Sequence, residues 1–325
     1  MIRNILFLVL LASLGVLLFM TTKNTSSNLH SFAETPLPPV SSFEVERLHL
    51  LNDLTQEINA EGVTDNVSLY YKNLKNNYEV MINADRSWIP ASTVKAYVVI
   101  EAYRQKRLRL INFDSRITIV SNNVVPTELE APDYQPLRAG VKATVRELIE
   151  AMIAQSDNTA YNTLLDVLDR RNITSNLRRL GLTDTVVGEK LSLSNEEYQV
   201  DAAVPGRQLN RTTAHDLGRF FDLLYQNKID DAPEILNIFK KQKFKEMIPA
   251  LIPPELIIAH KTGVWSPYYH DGGIIYKANE PYLLVVFTNH DDATTVSRLS
   301  KVVYYKSKDV LGASTSKWSW LWFWR

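Results

Sequence analysis

The chain of 325 residues contains no cysteine, which excludes disulfides, thiolate metal sites and lipid attachment through an N-terminal Cys. It also lacks any excess charge. Its 36 Lys and Arg stand against 36 Asp and Glu, so it carries no basic footprint for nucleic acid and no polybasic membrane surface. There is no internal repeat, and no feature implies a metal or an organic cofactor.

Long apolar runs are also missing, with one exception at the start. Arg3 is followed by "ILFLVLLASLGVLLFM", Ile5 to Met20, a basic residue and apolar segment of the kind that directs or anchors an exported chain. Its sixteen residues lie between a signal-peptide core and a spanning helix of roughly 17–25 residues. No convincing small-x-small cleavage site follows directly, and "SFA" at 31 to 33 is a distant one. An uncleaved anchor, with the domain outside the cytoplasmic membrane, is therefore preferred over a secreted form. The expected organisation is a signal peptide or anchor at 1–20, a Ser/Thr/Pro-rich linker at 21–42, a catalytic domain at 43–310 and a Trp-rich tail at 311–325. That tail, "SKWSWLWFWR", reads either as an interfacial lipid contact or as an apolar segment packed on the domain.

Within the domain, the spacing predicts a helix from Phe43 to Ala60 and then two strands, "NVSLYYKNL" and "YEVMIN", turning at Lys75, Asn76 and Asn77. From Asn112 to about Asn227 apolar residues recur at three and four positions, giving helices in "TVRELIEAMIAQ", "NTAYNTLLDVLDRR" and "TTAHDLGRFFDLLYQ". The period then falls to that of strands in "LIIAHKTGVW", "GGIIYKA" and "YLLVVFTNH", before "DATTVSRLSKVVYY" returns to a helix. Strands thus stand at both ends of a helical block. If all five share one sheet, the chain forms a mixed α/β lobe with an inserted all-helical lobe and a cleft between them.

Three short motifs fall where that cleft would be. "WIPASTVKAYVV" sets Ser92 three residues before Lys95 near a helix start, close enough for the lysine to take the hydroxyl proton if desolvation lowers its pKa. "QSDNTAYN" carries Ser156, Asp157 and Asn158; "AHKTGVW" carries Lys261, Thr262 and Gly263. Each has an ordinary reading by itself: a helix N-cap for the second and a strand running into a turn for the third. The Ser-x-x-Lys tetrad recurs at Ser314 to Lys317 in the tail, so it means little alone.

Taken in order, Ser-x-x-Lys, Ser-Asp-Asn and Lys-Thr-Gly resemble the motif set of class A β-lactamases and penicillin-binding proteins. From about Phe43 to Tyr305 the chain looks like a class A β-lactamase-type serine hydrolase, a resemblance that "TVREL" just before "SDNTA" extends. The resemblance implies a β-lactamase/transpeptidase-like α+β fold: a five-stranded antiparallel sheet flanked by helices, with an inserted all-helical lobe. It implies Ser92 as nucleophile, Lys95 as base and Ser156 as proton relay. Asn158, Lys261, Thr262 and Gly263 would bind substrate, and the backbone N–H groups of Ser92 and Val264 would form the oxyanion hole.

Deacylation in this family needs a glutamate on a loop between the second and third motifs. In "SNEEYQVDAAVPG" the register places Glu197 there, beside Glu196, with Asp201 where the family has asparagine. Two further departures are Trp265 in place of a small residue and Gly272 where many relatives carry a carboxylate-binding arginine. His270 and Asp271 read as structural, with a metal or triad role as the alternative. The expected activity is hydrolysis of a β-lactam or related amide. The runners-up are a D-Ala-D-Ala peptidase acting on peptidoglycan peptides and an inert peptidoglycan-binding module. The partners implied are that small substrate and the membrane at the N-terminal segment, with the domain a monomer.

Overall fold

The computed structural model describes residues 41–125, 134–191, 209–290 and 292–307. The N-terminal segment, the Trp-rich tail and the loop carrying Glu197 lie outside them. Among the described residues no helix is long and apolar enough to cross a membrane.

Helix α1 (Ser42–Ala60) starts where the Ser41 hydroxyl accepts the Glu44 N–H, and buries Leu50, Leu54 and Ile58 at four-residue spacing. Strands β1 (Val67–Asn73) and β2 (Glu79–Ile82) follow as an antiparallel hairpin. A 3₁₀ turn, Ala91–Val94, leads into α2 (Lys95–Arg107). The inserted block holds α3 (Val145–Ala154), α4 (Asn158–Leu168), α5 (Arg170–Arg179), α6 (Ala214–Tyr225) and α7 (Ala232–Phe239). The chain then returns through β5 (Ile258–Trp265), β6 (Tyr268–Ile275) and β7 (Tyr282–Thr288) to α8 (Ala293–Lys306).

The five long strands form one antiparallel sheet in the order β2-β1-β7-β6-β5, which makes β5 an edge. Alternation along β7 explains the layering. Leu283, Val285 and Phe287 join the larger core under the helical block, while Tyr282, Leu284 and Val286 join a second core with α1 and α8. This is the β-lactamase/transpeptidase-like architecture, an α+β fold.

Two details differ from the sequence expectation. The helical block contains a small antiparallel ribbon, β3 (Arg116–Thr118) with β4 (Lys142–Thr144), whose three-residue strands are too short to show a period. The stretch "NTAYNTLLDVLDRR" is not one helix. Asp169 takes a positive φ of 58° and its side chain caps α5 by accepting the Arg171 N–H at 3.0 Å.

Candidate active site

The turn carrying Ser92 is held from several directions. Its Thr93 hydroxyl and N–H both donate to the Pro90 carbonyl, at 2.6 and 3.0 Å. Upstream, Trp88 exchanges backbone hydrogen bonds with Thr212 and donates its indole N–H to Ser68 at 2.8 Å. Ala91, directly before the nucleophile candidate, has φ of 46°, a conformation that costs a side-chain-bearing residue about 1–3 kcal/mol.

Lys95 opens α2 and is fully buried. Its Nζ lies 2.9 Å from Ser92 Oγ, 3.2 Å from Ser156 Oγ and 2.6 Å from Asn158 Oδ1, and it also meets the Ser156 carbonyl oxygen. Burial, and then the charge of Lys261, push its pKa well below the ordinary lysine value, against the opposing pull of Asp157.

Ser156 reaches this cluster because it too takes a positive φ, 58°, immediately before α4. Asp157 then caps that helix, accepting the Ala160 N–H at 2.6 Å and the Tyr134 hydroxyl proton. Within "SDN", Asp157 is thus the helix N-cap, while Ser156 and Asn158 meet the Lys95 amine.

The third motif lies on edge strand β5. Lys261 is fully buried, and its Nζ donates to Ser156 Oγ at 2.9 Å and to the Thr262 carbonyl at 2.8 Å. Burial lowers its pKa to about 7, with Asp271 acting in the opposite direction. Gly263 has no room for a side chain: a Cβ would stand 2.9 Å from both the Pro90 carbonyl and the Thr93 N–H. The bare backbone lets β5 close against the Ser92 turn, with Thr262 buried before it and Val264 half-buried after it. Ser92, Lys95, Ser156, Asn158 and Lys261 thus form one hydrogen-bonded cluster, with Thr262, Gly263 and Val264 along its edge.

Glu197 lies outside the described residues, together with Glu196 and Asp201. Gly272 does not stand at the cleft. A Cβ there would be 2.9 Å from Leu217 and Val285, so a longer side chain would run into the packing under α6. His270 is buried between Trp88 and Phe287; its Nε2 donates to the Ile89 carbonyl at 2.9 Å and its Nδ1 accepts the Thr288 N–H. Burial lowers its pKa to about 4, which keeps it neutral behind the turn. Asp271 points to the other side of the sheet, where it accepts from His260 Nδ1 at 2.9 Å and from the Ile248 N–H.

The sequence reading gave Asp157 no part beyond an N-cap, and none to Tyr134 or to the electrostatic influence of Asp271. The N-cap pattern signals the first; the others depend on long-range placement.

The family model described as the beta-lactamase enzyme family matches residues 50–306. Beta-lactamase 3 of Bacillus cereus is 26% identical over 276 residues, covering 80% of this chain and 81% of that protein. Among solved structures, PBP-A superposes with a TM-score of 0.67 at 22% identity, over 78% of this chain and 95% of that one. The beta-lactamase from Sphaerobacter thermophilus gives 0.68 at 20% identity, over 83% and 99%. These two likenesses carry the fold, whereas the family match extends from inside α1 to the end of α8, across all three motifs. The chain belongs to the beta-lactamase enzyme family.

Proposed function

We propose that this protein is a serine hydrolase that is acylated at Ser92 and opens β-lactam or closely related amide bonds. The observation that carries the reading is the Lys95 amine 2.9 Å from the Ser92 hydroxyl, inside a buried network that continues through Ser156 to Lys261.

Desolvation favours neutral Lys95. A neutral amine accepts the Ser92 proton on its lone pair, while its N–H groups donate to the Ser156 carbonyl and Asn158 Oδ1. Ser92 Oγ then bonds to the substrate carbonyl carbon. The oxyanion takes hydrogen bonds from the N–H groups of Ser92 and Val264, donors whose individual loss typically costs about 10²–10³ in rate. The C–N bond breaks as Ser156 gives its proton to the departing nitrogen, and the proton held on Lys95 replaces it. Lys261 and Thr262 hold the substrate carboxylate, and Asn158 offers its amide N–H to a substrate carbonyl.

For hydrolysis, Glu197 takes a proton from water as the water oxygen attacks the ester. The C–Oγ bond breaks, and the proton that Glu197 took from water passes to the Ser92 oxygen, which restores both groups. Asp201, four residues after Glu197 where the resemblance implies asparagine, supports a second reading, a penicillin-binding peptidase with slow deacylation, because a carboxylate brought beside Glu197 would raise its pKa. Export, with anchoring by residues 5–20, is supported by the basic residue and apolar run at the start of the chain.

The test follows the intact mass of the detergent-solubilised chain after a pulse of benzylpenicillin. An adduct that forms on the wild type and is lost in Ser92→Ala is expected; one that survives that substitution refutes the assignment. Rapid clearance marks a β-lactamase, and persistence marks the peptidase.

A further inference from the structure

Beside Lys261 on β5, but on the opposite face of the sheet, stands a buried ionisable pair that takes no direct part in the proposed chemistry. The pleat turns His260 away from the cleft and toward Asp271 of β6, and both side chains are fully buried. His260 Nδ1 lies 2.9 and 3.1 Å from the two Asp271 oxygens. A carboxylate only accepts, so Nδ1 carries the proton and donates it. The Ile248 N–H donates to one oxygen at 3.1 Å and the Gly272 N–H to the other at 2.9 Å. Three donors thus converge on this one carboxylate.

The position of the ring is fixed by the strands. His260 pairs directly with Gly273, where a Cβ would stand 2.6 Å from both Cα and Cβ of His260, so a bare backbone is needed at this level. With Nδ1 as donor, Nε2 is left to accept, and it faces Lys245 Nζ at 3.5 Å. Lys245 reaches in from the surface with Lys243 and Glu246 beside it. From α8 comes Ser300, which donates to the Ile248 carbonyl at 2.8 Å; the buried residues of that helix, from Thr295 to Val303, include no ionisable side chain.

The carboxylate lies at the level of the substrate-binding residues, because Thr262 pairs with Asp271 and Lys261 with Gly272. Burial pushes Lys261 down to about 7, and Asp271 is the charge that opposes this. A neutral group in its place would leave the Lys261 amine uncharged over more of the pH range in which a substrate carboxylate has to be held. A buried carboxylate in turn keeps its charge only while hydrogen-bonded, and His260 supplies the one side-chain donor it has.

We infer that His260 is a positioning residue for acylation: it holds the Asp271 carboxylate in place and charged behind β5, and through that charge keeps Lys261 in the cationic form that grips the substrate carboxylate. The inference rests on the acylation at Ser92 proposed above and adds to it a residue that touches neither substrate nor nucleophile.

The experiment follows adduct formation by benzylpenicillin on the detergent-solubilised full chain, by intact mass, from about pH 5 to 9. Wild type is compared with His260→Leu, which cannot donate to Asp271, and with His260→Asn, whose amide can stand in for Nδ1. In the wild type the rate is expected to fall on the alkaline side as Lys261 loses its proton near pH 7. In His260→Leu that limb should move down by about one pH unit, the low end of what a nearby charge does. Acylation at about pH 8 then slows roughly tenfold, with little change on the acid side, and His260→Asn restores the limb. A limb that stays in place in His260→Leu, a rate lowered by one factor at every pH, or a limb that His260→Asn fails to restore overturns the inference and makes the pair merely structural. Should the leucine variant not fold, the wild-type ring decides. Long-range proton–nitrogen spectra of histidine-labelled protein, with the His260 signals identified by their loss in His260→Asn, should show the proton on Nδ1; a proton on Nε2 alone overturns the inference. No adduct on the wild type at any pH refutes acylation at Ser92 itself, and the inference falls with it.

Discussion

Replacing Lys261 with methionine removes a fully buried amine while keeping much of its stem volume. In the folded protein this group titrates at about 7 in place of 10.5, chiefly because burial disfavours its charge. At roughly 1.4 kcal/mol per pKa unit, that difference corresponds to about 5 kcal/mol of folding free energy withheld while the amine is charged. The sign follows from proton binding. Between about pH 7 and 10.5 the unfolded chain holds more protons on this lysine than the folded one, so wild-type stability rises with pH across that window. Below about 7 both states are protonated, and the penalty is full and constant. Lys95, whose pKa Lys261 lowers further, adds in the same direction. Urea unfolding of both proteins at intervals from pH 6 to 10.5 is therefore expected to show Lys261→Met more stable at neutral pH, with its advantage shrinking by several kcal/mol toward pH 10.5. A stability difference that stays flat across that window would refute the claim that a buried, pKa-shifted Lys261 strains the fold.

Two other substitutions probe the neighbours of the nucleophile. Asp157→Asn preserves an oxygen to cap α4 but removes the charge that supports protonation of Lys95; stopped-flow acylation rates should show the acid limb moved to lower pH, and movement the other way contradicts the assignment. Gly263→Ala puts a methyl group 2.9 Å from the backbone of Pro90 and Thr93. Overpacking of this kind costs about 1–3 kcal/mol, and because it separates β5 from the turn, adduct formation should slow by about tenfold or more. Unchanged acylation would show that this contact does not position the oxyanion donors.

The sheet was legible wherever strands were long enough to show their period. Both hairpin arms, β5 and β7 read directly from β-branched and aromatic runs, β6 starts four residues before the expected "GGIIYKA" and ends within it, and the β3/β4 ribbon has only three residues a side and no pattern to detect. The three motifs were legible as residue types at fixed spacing, and folding links five of their residues, Ser92, Lys95, Ser156, Asn158 and Lys261, into one hydrogen-bonded chain through Lys95 and Ser156. What spacing could not convey was the backbone that makes this possible. Ala91 and Ser156 adopt positive φ without being glycine, so no local propensity marks them; tertiary contacts impose the conformation. Nor could it convey register. Pairing Thr262 with Asp271 and Lys261 with Gly272 places a carboxylate on one side of the sheet and packs Gly272 under α6, away from the cleft where the sequence reading put it.

The two buried lysines share one hydroxyl, and that arrangement divides their tasks. Ser156 Oγ lies 3.2 Å from Lys95 Nζ and 2.9 Å from Lys261 Nζ, so two full charges this close, out of water, repel strongly. The surroundings decide which amine keeps its proton. Lys261 has Asp271 as its electrostatic support and titrates near neutrality, whereas Lys95 is lowered by burial and again by Lys261 itself. Environments that push two titratable groups apart in this way produce a base and a cation from the same side chain. On the proposed mechanism the proton taken from Ser92 moves through Lys95 and Ser156 to the departing nitrogen, while Lys261 stays charged to hold the substrate carboxylate. Removing Lys261 should therefore do more than weaken binding. It lifts the repulsion on Lys95, raises that pKa, and moves the acid limb of acylation to higher pH, opposite to the shift expected for Asp157→Asn. A common direction for the two variants would mean that the lysines do not titrate as a coupled pair.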